Sequence, residues 1–524
     1  MRCGDHPAPA ARAYGLGAPA LGARVLQRIR HHPGAAAACQ TRRHRDASRP
    51  HQSRGRNRLA GGRLRTLGDP RTGQPRDCGA HGGDVDAGRA QCGPEPRGRR
   101  MNLVIRNGRV IDPASGHDAQ ADIWISEGRV RSIGRKPRGL TAEHSINARG
   151  LWVLPGLVDL ATYLREPGAE HKATVASELY AAAANGFTTV CQPPDTDPPI
   201  DAPSVVELIN HRAEPVAGAR VVCLGALTVG LAGEQLAEMA ALREIGCVGV
   251  SNGSRAVVDT RVLSRAFQYA EGVGMTVHHL AREPWLSRGA GVNHSALSVR
   301  QGLPGEPAIA EAIEIHRALL VAEQTGVRLH LGRISSAGST EILTRATRDP
   351  RITADVAIAN LACTEARLSN HSGLYRVEPA LRAERDREAL ARAIRKGTIA
   401  AITSNHAPHD ADAKDGAFMA CEAGLSTLDG FLPVLLTLAA EWDIAPTTML
   451  SLVTSAPGAI LGLESGRIEI GRPADLTLYD PAHVWRLEPA DLYSRGKNSP
   501  FIGSQLTGRV HSTLVDGEVV FCRD

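Results

Sequence analysis

The stretch that decides the fold is residues 152–170, which read WVLPGLVDLATYLREPGAE. Residues 153–160 form an apolar run of strand length, which predicts a buried strand. A helical segment at 177–185 follows, ends at Gly186, and leads into a second apolar run at 187–190. Glycine just past a helix end takes the left-handed conformation that stops the helix. The order strand, helix, glycine, strand is typical of a parallel sheet covered by helices.

The same unit recurs further along the chain. Helical segments that end at glycine precede the apolar runs at 247–250, 327–331 and 398–403. The region of about 300 residues with this alternation favours a (β/α)8 TIM-type barrel over an open sheet. We therefore predict an α/β fold with the barrel at residues 155–460.

Both flanks of this region have a different pattern. Asn107-Gly108, Glu127-Gly128 and Asp516-Gly517 each lie between short apolar runs, and such dipeptides favour hairpin turns. Two β-rich ends around a long middle predict one small β-sandwich domain, to which residues 101–154 and 461–524 both contribute.

Residues 1–100 have an unusual composition. They contain 20 Arg, no Lys and 7 acidic residues, so the segment carries +13 of a chain total of +6 and the remainder carries −7. No helical or strand period persists, and such a segment cannot bury enough apolar surface to offset its ordering entropy. We predict disorder, and three origins stay open: a nucleic-acid-binding arm, a targeting peptide, or a mis-assigned start upstream of Met101. We favour the mis-assigned start, and so expect no nucleic-acid partner.

Cysteine usage and hydropathy predict a cytoplasmic protein without a membrane partner. The ten cysteines show no CxxC pair and no regular spacing, which favours reduced thiols. No run of 18 apolar residues is present, so we expect no transmembrane helix.

Six sequence motifs share an order along the chain with a known family. They are Pro155–Leu160 with Leu164–Gly168, Gly302–Gly305, Glu384–Leu390, His406-Ala407-Pro408-His409, Gly471–Asp475 and Lys497–Phe501. With these motifs the chain, from residue 101 onward, resembles the dihydroorotase family of the amidohydrolase superfamily. The resemblance implies the same barrel. It also implies an activity that interconverts carbamoyl aspartate and dihydroorotate, with one or two Zn²⁺ ions that activate water.

The resemblance also locates the metal ligands, and this chain departs from them. The His-x-His pair of the first strand matches Ala161 and Tyr163, and a bridging Asp matches Asn252. A histidine ligand matches Arg333, and the aspartate that serves as general base matches Asn405. A methyl group, a neutral phenol, amides and a guanidinium are poor or impossible Zn²⁺ ligands. We therefore expect no resident metal and no catalytic residue.

Five other residues remain candidates. His278, His279 and His406 could form a weak metal site, although His278 and His279 are adjacent on a strand, so only one of them can point inward. Packed, hydrogen-bonded histidines are the competing interpretation. The resemblance makes Arg165 and His409 candidates for substrate binding, whereas a structural ion pair of Arg165 with Glu166 or Asp159 is the alternative.

These observations predict a non-catalytic protein. The chain is most similar in this respect to the inactive dihydroorotase-like subunits that associate with aspartate transcarbamoylase, so the resemblance implies a hetero-oligomer with that enzyme's catalytic chain in pyrimidine biosynthesis. Two alternatives stay open. One is an active zinc-dependent cyclic amidohydrolase with a rearranged metal site, and the other is a sensor that binds carbamoyl aspartate or a nucleotide through Arg165.

Overall fold

The computed structural model describes residues 102–523. The Arg-rich segment 1–100, for which we predicted disorder, lies outside the described residues. The strands of the small sheet are Leu103–Asp112, His117–Ser126, Arg129–Ile133, His144–Asn147, Trp152–Pro155, Leu476–Arg486, Gln505–Val515 and Glu518–Cys522. The strands of the barrel are Leu157–Asp159, Phe187–Gln192, Arg220–Ala226, Gly249–Ser251, Thr276–Leu280, Leu329–Gly332, Ile352–Ala357 and Ala401–Thr403. A two-stranded ladder pairs Val292–Asn293 with Gly305–Glu306.

Twelve α-helices accompany these strands in the described range. They are α1 (Val175–Ala184), α2 (Pro203–Ala213), α3 (Met239–Glu244), α4 (Thr260–Gly272), α5 (Ala296–Gln301), α6 (Ile309–Thr325), α7 (Ala337–Ala346), α8 (Ile358–Ala362), α9 (Glu384–Arg395), α10 (Phe431–Glu441), α11 (Pro446–Ser451) and α12 (Ser455–Ile460). Within residues 102–523, no helix has both the length and the apolar character that a membrane crossing needs.

The predicted α/β fold class is confirmed. Eight parallel strands follow one another in chain order around a nearly closed barrel, with an apolar core between strands and helices. The strands from both ends of the described range form one hydrogen-bonded sheet around a core of its own. The alternation of strand, helix and glycine predicted the barrel correctly, because each repeat is one parallel strand with its covering helix.

The prediction of a single strand at 153–160 is wrong. Trp152–Pro155 belongs to the small sheet, and the first barrel strand begins at Leu157. Gly156 lies at the break, where a Cβ atom would come within 2.1 Å of the Thr188 side chain. Its N–H donates to the carbonyl of Asp475, at 2.9 Å. The chain can pass from one sheet to the other here because glycine leaves room for Thr188.

A buried carboxylate joins the first and last barrel strands. Asp159 is fully buried and accepts hydrogen bonds from Ser404 N–H and Thr403 Oγ1, both at 2.7 Å, and from the hydroxyls of Ser404 and Thr162. Backbone pairing continues beyond it, where Thr162 bridges His406. Burial raises the pKa of Asp159, and the surrounding donors oppose that rise. The carboxyl end of the barrel, which carries the candidate site, is therefore tied across its seam.

Candidate functional site at the barrel mouth

The guanidinium of Arg333 connects residues at the barrel mouth. Arg333 follows the strand Leu329–Gly332, and its Nη1 donates to Tyr163 Oη at 2.7 Å and to Asn405 Oδ1 at 3.2 Å. Its backbone N–H donates to the carboxylate of Asp355. Burial acts to lower the pKa of Arg333, but Tyr163 and Asp355 raise it more, so the group stays charged. Three of the positions predicted from the resemblance are therefore linked through one cation.

The other two predicted positions, Ala161 and Asn252, offer no free atom that could ligate a metal ion. Ala161 presents a buried methyl group. The Asn252 amide is engaged on both sides: its Oδ1 accepts from Thr228 Oγ1 at 2.6 Å, and its Nδ2 donates to the carbonyls of Leu231 and Arg255 at 3.2 and 2.9 Å. Asn252 thus anchors the loop that follows its strand.

The adjacent histidines point to opposite sides of their strand. His279 faces the helix layer, where its Nε2 lies 2.7 Å from Glu314 Oε1 of α6. The His278 ring packs 5.0 Å, between centroids, from the ring of His330 on the neighbouring strand. His330 is fixed by its Nε2, which lies 2.9 Å from Asp355 Oδ2. Burial lowers the pKa of His278 well below its usual value, so this imidazole is neutral.

His406 is held away from those histidines by a buried pair with α1. Its Nε2 lies 2.7 Å from Glu178 Oε2, and its Nδ1 accepts from Thr427 N–H at 3.1 Å. Burial acts to raise the pKa of Glu178, but the contacts with His406, together with hydrogen bonds from Ser494 and the Arg495 N–H, hold the pKa below its usual value. The three weak metal candidates do not converge, and within residues 102–523 no group of three His, Cys, Asp or Glu side chains could hold a metal ion.

Arg165 and His409 are brought into contact. Arg165 Nη2 lies 3.0 Å from His409 Nε2, and Arg165 Nε donates to the carbonyl of Pro408 at 3.0 Å. The guanidinium also lies over the ring of Tyr163, 5.4 Å from its centroid. Burial lowers the pKa of His409 to about 3, so its imidazole is neutral beside the cation.

The alternative interpretation of Arg165, an ion pair with Glu166 or Asp159, is wrong. The Glu166 carboxylate accepts from Val175 N–H at 2.9 Å, where it supports the start of α1, and it lies 3.4 Å from Arg212. Asp159 accepts hydrogen bonds from Thr403 and Ser404, between the first and last barrel strands. Arg165 takes its partners from the loop 408–409 instead, which lies more than 240 residues further along the chain.

With this geometry in hand, comparison with known proteins identifies the family. A family model described as dihydro-orotase-like matches residues 150–339, and one described as amidohydrolase family matches residues 439–521. A dihydroorotase-like protein of Pseudomonas aeruginosa is 42% identical over 420 residues, which are 80% of this chain and 99% of that protein. The chain belongs to the dihydroorotase-like family. A dihydroorotase of a Geobacter species is 38% identical over 422 residues, with 80% and 99% of the two chains covered.

Solved structures agree with this dihydroorotase-like fold. The L-hydantoinase of Arthrobacter aurescens has a TM-score of 0.71 at 21% identity, with 80% of this chain and 96% of that chain covered. A D-hydantoinase of a Thermus species has a TM-score of 0.69 at 21% identity, with 80% and 94% covered. At this identity the likeness concerns the fold alone.

The mouth of this dihydroorotase-like chain does not fit the Zn²⁺ ion that the family implies. Zinc is held by about four converging thiolate, imidazole or carboxylate donors. Here Ala161 has no donor atom, and the Tyr163 hydroxyl and the Asn405 carbonyl oxygen both accept from Arg333. A permanent cation among the remaining groups opposes a second one.

Two acidic residues near the mouth have structural partners that their sequence positions did not reveal. The Asp195 carboxylate accepts from the N–H and the hydroxyl of Ser254, both at 2.9 Å. Glu378 pairs with Arg282, whose Nε also donates to Glu306 at 2.6 Å. Both acidic side chains therefore have partners within the structure. No local sequence pattern predicts such pairs, because the partners lie 59 and 96 residues apart.

Proposed function

We propose that this dihydroorotase-like chain is non-catalytic and serves as a structural partner of the aspartate transcarbamoylase catalytic chain in cytoplasmic pyrimidine biosynthesis. The observation that carries the non-catalytic part is the Arg333 guanidinium. It is bonded to Tyr163 and Asn405, the positions where the family resemblance expects a metal ligand and the general base. An amide cannot accept the proton that a carboxylate base would take.

The intact frame around this altered mouth supports a retained role in assembly. The seam carboxylate, the eight parallel strands and the small sheet are all present, although groups that the chemistry would use are replaced. The identity of the partner rests on the resemblance to inactive dihydroorotase-like subunits. An interface with a transcarbamoylase chain is part of the proposal.

Co-expression with the aspartate transcarbamoylase catalytic chain of the same organism tests the partnership. We expect both chains to elute in one assembly, and carbamoyl aspartate formation to fall by at least about tenfold when this chain is omitted. Variants Arg165→Ala and His409→Ala should support the enzyme as well as the unaltered chain does, because a structural role does not use the mouth. Transcarbamoylase that assembles and works equally well without this chain would contradict the partnership.

A further inference from the structure

A cleft beside the barrel mouth is lined by arginines. Its volume is about 330 Å³, which lies at the lower end of the range for sites that bind small molecules. One wall is the loop after the strand Gly249–Ser251, and the other is the segment 280–290 at the end of the next strand. The arginines are Arg255, Arg282, Arg288 and Arg376, and no acidic residue of the described range lines this space. We call it the arginine cleft.

Three of these guanidiniums have no carboxylate partner within residues 102–523. Arg255 and Arg376 each donate through Nη1 to a backbone carbonyl, at 3.2 and 2.9 Å. Arg288 lies over the ring of Trp285, 5.9 Å from its centroid. A carbonyl group or an aromatic ring does not neutralise a guanidinium, which stays protonated in proteins. The cleft therefore has an excess of about three positive charges.

The fourth guanidinium is already balanced. Arg282 Nε donates to Glu306 at 2.6 Å, and its Nη1 pairs with Glu378. Its Nη2 donates to the carbonyl of Ser287 at 3.4 Å. Arg282 thus supports the wall of the cleft, and the excess charge comes from the other three arginines.

A buried hydroxyl group in the same wall favours a ligand. Ser287 lines the cleft and is 5% exposed, and its Oγ has no hydrogen-bond partner within the described residues. Its backbone is fixed, because its N–H donates to the carbonyl of Glu283 at 3.2 Å and its carbonyl accepts from Ala290 N–H at 3.1 Å. A buried hydroxyl without a partner costs free energy. Water would satisfy the hydroxyl alone, whereas an anion would satisfy it and also balance the three cations.

The charge and the donors of the cleft favour a phosphoryl group over a carboxylate. A phosphate monoester carries about −1.5 to −2 charges at pH 7 and three acceptor oxygens, whereas a carboxylate has one charge and two oxygens. Guanidinium groups match the geometry of phosphate oxygens with two parallel hydrogen bonds. Leu280 and Pro284 supply an apolar part of the lining, against which the organic part of a phosphate ester would pack.

We propose that the arginine cleft binds the phosphoryl group of a small molecule, through Arg255, Arg288, Arg376 and the hydroxyl of Ser287. None of these residues is a substrate-binding candidate at the barrel mouth. The inference goes beyond the structural role proposed above and does not depend on it, so it is tested with this chain alone.

Isothermal titration calorimetry of the purified full chain with inorganic phosphate tests the proposal. We expect one site per chain with a Kd below about 1 mM. Ser287→Ala should weaken binding by about tenfold, because the phosphoryl oxygens lose one donor. Arg288→Gln should weaken it by at least about tenfold, because it removes one of the three charges. Thermal melts without phosphate would verify that both variants are folded.

Two control variants locate the bound anion. Arg261→Gln removes a positive charge outside the cleft, from a side chain that is 74% exposed and paired with Asp259. Arg165→Ala removes the buried cation of the barrel mouth. Both variants should bind phosphate like the unaltered chain. If Arg165→Ala loses as much affinity as Arg288→Gln, the anion binds at the mouth and the proposal is overturned.

Glycerol 3-phosphate and acetate distinguish the classes of ligand. Tighter binding of glycerol 3-phosphate than of inorganic phosphate would identify a phosphate ester as the ligand, and equal affinity would identify free phosphate; both results support a phosphoryl site. Acetate should bind at least about tenfold more weakly than phosphate. The proposal is overturned if phosphate shows no saturable binding up to about 10 mM, or if acetate binds as tightly. It is also overturned if Ser287→Ala and Arg288→Gln both bind phosphate like the unaltered chain.

Discussion

Equilibrium dialysis should show about one bound Zn²⁺ per chain in a quadruple variant that carries Ala161→His, Tyr163→His, Arg333→His and Asn405→Asp. The reason is geometric. Tyr163 and Asn405 already lie within hydrogen-bond distance of one nitrogen of Arg333, and Ala161 is joined to this cluster because its carbonyl accepts from His406 N–H at 3.2 Å. Because the barrel frame is intact, imidazole and carboxylate donors at these positions should converge on the space that the guanidinium leaves.

The matched control is the triple variant that keeps Arg333. At a separation of about 4 Å and an effective dielectric constant of about 20, a guanidinium and a divalent ion repel by roughly 8 kcal/mol. A thousandfold difference in affinity corresponds to only about 4 kcal/mol, so the triple variant should bind at least about a thousandfold more weakly than the quadruple variant. Equal affinities of the two variants would show that Arg333 is not the obstacle.

Replacement of Asp159 with alanine should lower the free energy of unfolding by about 3–5 kcal/mol in urea titrations. The side chain is fully buried. Its carboxylate accepts hydrogen bonds from Thr403, which ends the last barrel strand, and from Ser404, which follows it. It also accepts from Thr162, which lies after the first barrel strand. Alanine removes every one of these acceptors and leaves the Ser404 N–H buried without its partner. Because this contact closes the barrel, the loss should be among the largest for any single polar residue.

Two further variants serve as comparisons for Asp159→Ala. Asp159→Asn should cost less than Asp159→Ala, because the amide oxygen can still accept from Ser404 N–H and Thr403 Oγ1. Asp118→Ala removes the exposed pair with Arg109 and should cost less than about 1 kcal/mol. If the free energy of unfolding of Asp159→Ala lies within about 1 kcal/mol of that of the unaltered chain, the carboxylate does not stabilise the contact between the first and last barrel strands.

The sequence was sufficient for the architecture because each element has a local signal. The repeat of helix, glycine and apolar strand reflects one barrel unit, and Glu127-Gly128 and Asp516-Gly517 mark hairpins of the small sheet. The hairpin predicted at Asn107-Gly108 is wrong, because this dipeptide lies at a bulge inside the strand Leu103–Asp112. The break at Gly156 was missed because the residues on both sides are equally apolar. Only the contact with Thr188 on the next barrel strand, where a Cβ would not fit, separates the two sheets.

The sequence predicted which residues lie at the barrel mouth, but it did not predict their side-chain contacts. Strand parity showed that only one of His278 and His279 could point inward, but it could not say which, and Glu314 on α6 decides that. Likewise, the replacement of predicted ligands was visible in the sequence, whereas the bonds of Arg333 join residues that lie 170 and 72 positions away. Pairing over such distances depends on the closed barrel.

Zinc titration of the unaltered full chain, combined with a dihydroorotate hydrolysis assay on the same sample, tests the non-catalytic assignment most directly. We expect no saturable Zn²⁺ binding at micromolar concentrations and no hydrolysis above the rate in buffer. About one zinc ion per chain, together with turnover that chelation removes, would contradict the account.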